Sequence, residues 1–178
     1  NVAKAKQLME IAKRELKVQG PLQLVFVTGD TPLAVREAEY LQALFKSTLG
    51  IELKIDRQIF KQRLAKQKSG DFDIVSAGWG PDYNDPMTFA DLFTSWNGNN
   101  NGKWVNAQYD SLIKQAMEQI DPKQRLDTMA KAEQLLLEEL PILPTYERTL
   151  MYTHDVKLMG LVRRSVGFDP DLTQASLE

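Results

Sequence analysis

Between residues 22 and 77 the chain switches repeatedly between two hydrophobic periods, and this alternation restricts the available folds more than any other feature. Leu22-Gln23-Leu24-Val25-Phe26-Val27, opened by Gly20-Pro21, is a short apolar run between turn signals and reads as a buried strand. Thr31-Pro32 supplies an N-cap and a proline at the first helical position, where a missing N–H costs nothing. Ala34, Ala38, Leu41, Phe45 and Leu49 follow at helical spacing, and Gly50 provides the stop. Ile51 to Ile55 alternates at period two, residues 57 to 68 read as a second helix ended by Ser69-Gly70, and 72 to 77 read as a third strand. An amphipathic helix over residues 4 to 17 precedes the set. The fold class expected is therefore α/β, a βαβαβ-type mixed sheet flanked by helices, with parallel pairing and right-handed crossovers. In such sheets ligands sit beyond the carboxyl ends of the strands, at the point where the strand order reverses.

The remainder is more helical. Asp85-Pro86 predicts a short helix through about Trp96, and the polar stretch Asn97 to Gly102 an exposed loop. Tyr109, Leu112, Ile113, Ala116 and Ile120 mark one helix face. Asp121-Pro122-Lys123-Gln124 opens another helix, with Leu126, Met129, Ala130, Leu136, Leu137 and Leu140 as its expected apolar positions and Pro141 as its end. Ile142 to Tyr152 reads as extended, near a sheet edge because of Pro144. Beyond Asp155 no period is sustained.

Few chemistries have their parts here. Among 178 residues there is no cysteine, which removes thiol catalysis, disulfides and Cys-ligated zinc. The single histidine, His154, has no serine in a nucleophile elbow to serve, so no catalytic residue is assigned. Asp71, Asp73, Asp82 and Asp85 do not follow a calcium-loop spacing and read as strand-end and cap residues; no metal or cofactor is expected. Gly78-Trp79-Gly80 lacks the further glycine of a phosphate-binding loop. The net charge of -2 provides no basic field for nucleic acid. No apolar run approaches the roughly 20 residues needed to cross a bilayer. The opening Asn1-Val2-Ala3-Lys4 carries neither an initiator methionine nor a signal peptide, and the chain is expected to be a piece of a longer one.

Trp79 stands apart. At the end of an expected strand, between two glycines, it has no helix or strand face to explain it. The glycines allow close approach of a ligand, the indole is a flat apolar wall with one N–H donor, and Asp82 follows after a stiffening proline. A carboxylate against an aromatic wall suits an ammonium group, in a charge-assisted hydrogen bond of roughly 1.5–3 kcal/mol. The same spacing equally accommodates a core tryptophan and a turn-forming aspartate.

The stretch from Asp73-Ile74 through Gly78-Trp79-Gly80-Pro81-Asp82-Tyr83-Asn84-Asp85-Pro86 resembles the strand-and-loop signature of the oligopeptide- and dipeptide-binding proteins of ABC importers, the family 5 extracellular solute-binding proteins. Asn100-Asn101 leading to Asn106, and Tyr109-Asp110-Ser111-Leu112-Ile113, are similar to that family's Asn-rich loop and helix start. Ala130-Lys131-Ala132-Glu133 and Leu140-Pro141-Ile142-Leu143-Pro144-Thr145-Tyr146 are similar to its late helix and proline-punctuated strand. The likeness runs from about residue 3 to about residue 162 in order.

The resemblance implies one lobe of a two-lobed periplasmic-binding-protein-like (type II) fold. Residues 1–154 would form the C-terminal, ligand-binding lobe, and residues 155–178 would return toward an N-terminal lobe of the same parent chain. It further implies that Asp82 receives a peptide's α-ammonium group, with Trp79 beside it, the main chain of Ala77, Gly78 and Gly80 pairing with the extended peptide, Tyr83 a weaker contact and Asn84 a weaker one still. The implied partners are short peptides and a membrane-embedded ABC permease, the implied location extracytoplasmic, in the periplasm or on a cell-surface lipoprotein. The fold also accommodates nickel chelates, heme, glycans and signalling peptides, and an unrelated regulatory or enzymatic α/β module is the remaining alternative. No carboxylate pocket is assigned; Arg148, Arg163 and Arg164 read as solvated surface residues.

Overall fold

In the computed structural model, which describes every residue except Leu150, Ser165 and Phe168, β1 (Gln23–Gly29) is the middle strand of a three-stranded parallel sheet. β2 (Glu52–Gln58) pairs along its whole length on one side, Gln23 opposite Glu52 and Gly29 opposite Gln58, and β3 (Ile74–Val75) pairs on the other, Phe26 opposite Ile74. The strand order β2-β1-β3 places a topological switch point between β1 and β3. These elements belong to the first of two compact units, Asn1–Gly78; the second is Trp79–Glu178.

The first unit follows the sequence signals closely. α2 (Pro32–Leu49) starts where Thr31 Oγ1 accepts from the Ala34 N–H at 3.3 Å and stops at Gly50, whose φ of 67° is the left-handed conformation glycine adopts without steric cost. α1 (Val2–Glu15) is capped by Asn1, and the core gathers Phe26, Ala38, Ile51 and Leu53, with Met9, Leu41 and Phe45 packed around them. Two boundaries shift. α3 (Phe60–Ser69) begins three residues later than residue 57, because β2 keeps pairing for as long as β1 continues. β3 is two residues long rather than six. Its start is taken by a side chain: the Val25 N–H donates to Asp73 Oδ2 at 2.7 Å, while the Asp73 N–H reaches the Val25 carbonyl at 3.1 Å. Ser76 N–H to the Val27 carbonyl, 2.9 Å, closes the pairing.

In the second unit, α5 (Ala107–Glu118) packs on α6 (Pro122–Glu139), preceded by α4 (Met87–Ala90) and a 3-10 turn at Asp91–Phe93. The helix expected to reach Trp96 therefore ends at Phe93, and Thr94 turns extended. Tyr109, Ile113 and Ala116 of α5 are buried against Met129, Ala132 and Leu136 of α6, with Met87. The Tyr109 ring meets Trp104 edge-on at 5.0 Å, and its hydroxyl donates to the Ala90 carbonyl at 2.5 Å. Burial, then the carboxylates of Asp91, Asp110 and Glu133, push that phenol far above its ordinary value.

Four further expectations fail in this unit. Ile120 lies beyond the end of α5 and is 97% exposed. On α6, Leu126, Ala130, Leu137 and Leu140 are exposed: the apolar residues form a broad stripe, and the part of it that is buried is the one where small Ala132 and Thr128, whose hydroxyl turns back to the Gln124 carbonyl, admit a close neighbour. Residues 142 to 149, Met151 and Tyr152 form no strand, since no strand pairs with them among the described residues; Leu150 lies outside these. The Asn/Gly stretch is not simply an exposed loop. Asn100 is 6% exposed, its amide donating to the carbonyls of Phe93, Thr94 and Trp104 and its oxygen accepting from the Trp104 N–H.

The terminal segment holds an antiparallel ribbon that its sequence did not announce, because each strand is two residues long: β4 (Leu158–Met159) pairs with β5 (Ser176–Leu177). Gly160 is obligatory there. Its φ is +72°, and a Cβ would stand 2.0 Å from the Gln174 carbonyl oxygen.

Candidate functional site

The loop after β3 leaves the sheet at a strand's carboxyl end, beside the switch point, which is where open parallel sheets hold their ligands. In the first unit Ser76 is fixed from behind by Arg63 of α3, whose Nη1 donates to its carbonyl at 3.2 Å; burial lowers the pKa of that guanidinium. Ala77 and Gly78 follow, both exposed. From Ala77 to Gly80 no main-chain N–H or C=O has a hydrogen-bond partner among the described residues, so this stretch is chemically open.

In the second unit the loop is exposed at its tip and pinned at its base. Trp79 is 42% and Tyr83 47% exposed, Asp82 and Asn84 are exposed, and Gly80 is half-buried. Trp79 is thus not the core residue that the spacing alone would also allow. The Asp82 carboxylate has no hydrogen bond or ion pair among the described residues, whereas its main-chain N–H donates to Thr88 Oγ1 at 3.0 Å. Thr88 is buried, and its own N–H reaches the Asp85 carbonyl at 3.1 Å.

Asp85 does not take its expected cap position on the short helix: Pro86 holds it, and Asp85 stands one residue before, accepting from the Met87 N–H at 2.8 Å and taking both arms of Arg125 from α6 at 2.7 and 2.8 Å. That fork, and after it the Met87 bond, holds the Asp85 carboxyl below the usual carboxylate range; the same pairing raises Arg125. Asp71 is paired with Lys66 at 2.6 Å. Of the four aspartates singled out from the sequence, Asp82 alone has a carboxylate unengaged among the described residues.

The tip is electronegative. Partial burial, followed by the charges of Asp91, Asp85 and Asp82, raises the Tyr83 phenol. Half-buried Asp91 is raised by burial and then by Asp82. Sequence reasoning missed Asp91 and Arg125. Arg125 carried no local signal, standing 40 residues from its partner. Among the arginines left open, Arg164 pairs with Asp171 at 2.8 Å and Arg163 lies over the Tyr152 ring at 3.2 Å, so neither is merely solvated. His154 is exposed and its Nδ1 contacts the Asp155 carbonyl.

Comparison with known proteins gives this geometry a context. The family model described as bacterial extracellular solute-binding proteins, family 5 middle, matches residues 1–101. The dipeptide-binding protein DppE of Bacillus subtilis is 33% identical over 168 residues, covering 94% of this chain and 31% of that protein. The substrate-binding domain of an oligopeptide ABC transporter from Bacillus anthracis superposes with a TM-score of 0.91 at 32% identity, over 99% of this chain and 35% of that one. Listeria monocytogenes OppA, solved bound to peptide, gives a TM-score of 0.88 at 30% identity, over 99% of this chain and 34% of that one. The chain spans about a third of the length of these relatives. They are solute-binding proteins, not enzymes.

Proposed function

Because the chain belongs to the family 5 bacterial extracellular solute-binding proteins, we propose that it serves as the C-terminal lobe of an oligopeptide-binding component of an ABC importer. An extended peptide is held in a cleft between this lobe, residues 1–154, and an N-terminal lobe of the same parent chain, with residues 155–178 returning toward the latter. The filled protein then docks on a membrane-embedded permease outside the cytoplasm. No helix among the described residues is long and apolar enough to cross a membrane.

The observation that carries the proposal is the Asp82 carboxylate: exposed, unengaged among the described residues, and set in a loop whose other aspartate is spent on an ion pair. Asp82 takes the peptide's α-ammonium group. Trp79 supplies an apolar wall for the first residues, and Tyr83 lines the same tip. The open main chain from Ala77 to Gly80 pairs with the peptide backbone as an added strand would, giving affinity without regard to side chains. The negative field that raises Tyr83 and Asp91 favours a cation at the same place.

Mass spectrometry of whatever copurifies with the full-length protein should find peptides with unmodified amino termini. Asp82→Ala should weaken peptide binding by about 3–5 kcal/mol, the cost of leaving a buried cation unpaired once the cleft closes. Copurifying ligands without a cationic group, or an Asp82→Ala protein of undiminished affinity, would remove the basis for the proposal.

A further inference from the structure

The Asp82 carboxylate is unengaged among the described residues, but the backbone that carries it is tied down through three links, all within the second unit. The Asp82 N–H is bonded to Thr88 Oγ1 at 3.0 Å; the Thr88 N–H is bonded to the Asp85 carbonyl at 3.1 Å; and the Asp85 carboxylate is held by both arms of Arg125 at 2.7 and 2.8 Å. Each link is sheltered. Thr88 is 3% exposed, and the side chains of Arg125 and Asp85 are 24% and 31% exposed. A guanidinium engaging two carboxylate oxygens at once fixes orientation as well as distance, which a lysine cannot do. Arg125 sits one turn into α6, whose start is set by Asp121 accepting from the Gln124 N–H at 2.8 Å and by Pro122 at its first position. The loop is thus referenced to a rigid helix and not to its own flexible neighbours.

We propose that Arg125 and Thr88 are positioning residues for ligand recognition: through Asp85 they hold Asp82 where it meets a free amino terminus, although neither is assigned any contact with the peptide. This rests on the reading of Asp82 as the ammonium anchor. An anchor of this kind gains affinity only if the carboxylate is held in place before the ligand arrives, since ordering the loop on binding would otherwise subtract from it.

The test uses the full-length protein and a tri- to pentaalanine series, once with free amino termini and once N-acetylated, titrated calorimetrically into wild type, Arg125→Lys, Thr88→Val and Asp82→Ala. Arg125→Lys keeps the charge but loses the fork; Thr88→Val keeps the volume but loses the acceptor, so one variant remains informative if the other folds poorly. Both should lose about tenfold in affinity for the free-amine series, equivalent to about 1.4 kcal/mol, and stay within about twofold for the acetylated series. Retention of the wild-type preference in both variants, while Asp82→Ala loses it, overturns this proposal alone. An equal fall for free and acetylated peptides also overturns it, since that marks a purely structural role. No preference for the free amine in wild type overturns the anchor reading and this proposal together.

Discussion

Asp82 and Asp85 lie three residues apart in one loop and have opposite fates: among the described residues one carboxylate is left unengaged, while the other is held by both arms of Arg125. The difference has a titration signature. Arg125 lowers the folded-state pKa of Asp85 below its unfolded value of about 3.9, so the pair's stabilisation is complete above that pH and disappears as pH falls through the lowered folded value. Thermal unfolding followed from pH 7 downward should therefore show stability falling below about pH 4. Arg125→Met should lower the plateau and flatten part of that fall. An identical acid slope in wild type and variant would contradict the assignment. Asn100 is a second residue with a defined structural load, serving three carbonyls and one N–H from a buried position. Asn100→Ala should destabilise the fold by about 1–3 kcal/mol in chemical denaturation, the range for orphaning buried polar partners.

Among the elements, α2 is the one most completely specified by its own residues, from the Thr31 cap to left-handed Gly50. Thr31→Ala should cost about 1 kcal/mol, readable as a shift in denaturation midpoint at constant slope. Legibility follows the same rule throughout. Caps, stops and the βαβαβ alternation are encoded within a few residues of where they act, so the element order of the first unit, and a loop following β3 in sequence, could be read directly. The face of α6 could not, since Leu126 and Leu137 are as apolar as Met129 and Leu136, and the choice depends on what α5 presents. Asn100 looks like its loop neighbours in sequence because its role is set by carbonyls brought around it by the fold. The Arg125 fork was invisible for the same reason. Residues 142 to 152 could not be settled locally either, because a strand needs a second strand to pair with and the sequence does not show whether one is there.

At the scale of the whole molecule, the chain carries a fold shared with proteins about three times its length. A peptide lying against one lobe keeps much of its surface in water, so the 178-residue chain by itself should bind short peptides more weakly than micromolar, short of about −8 kcal/mol, whereas the full-length protein should exceed it. Recognition of the charged amino terminus by Asp82 is the step on which peptide selection rests. A double-mutant cycle addresses that directly: calorimetric affinities of one peptide, free and N-acetylated, for the full-length wild type and Asp82→Ala. The prediction is a coupling of at least about 1.5–3 kcal/mol, with acetylation costly to the wild type and neutral or favourable in the variant, where it removes an unpaired cation. If acetylation costs the two proteins the same, the carboxylate and the ammonium group do not meet, and the account is wrong.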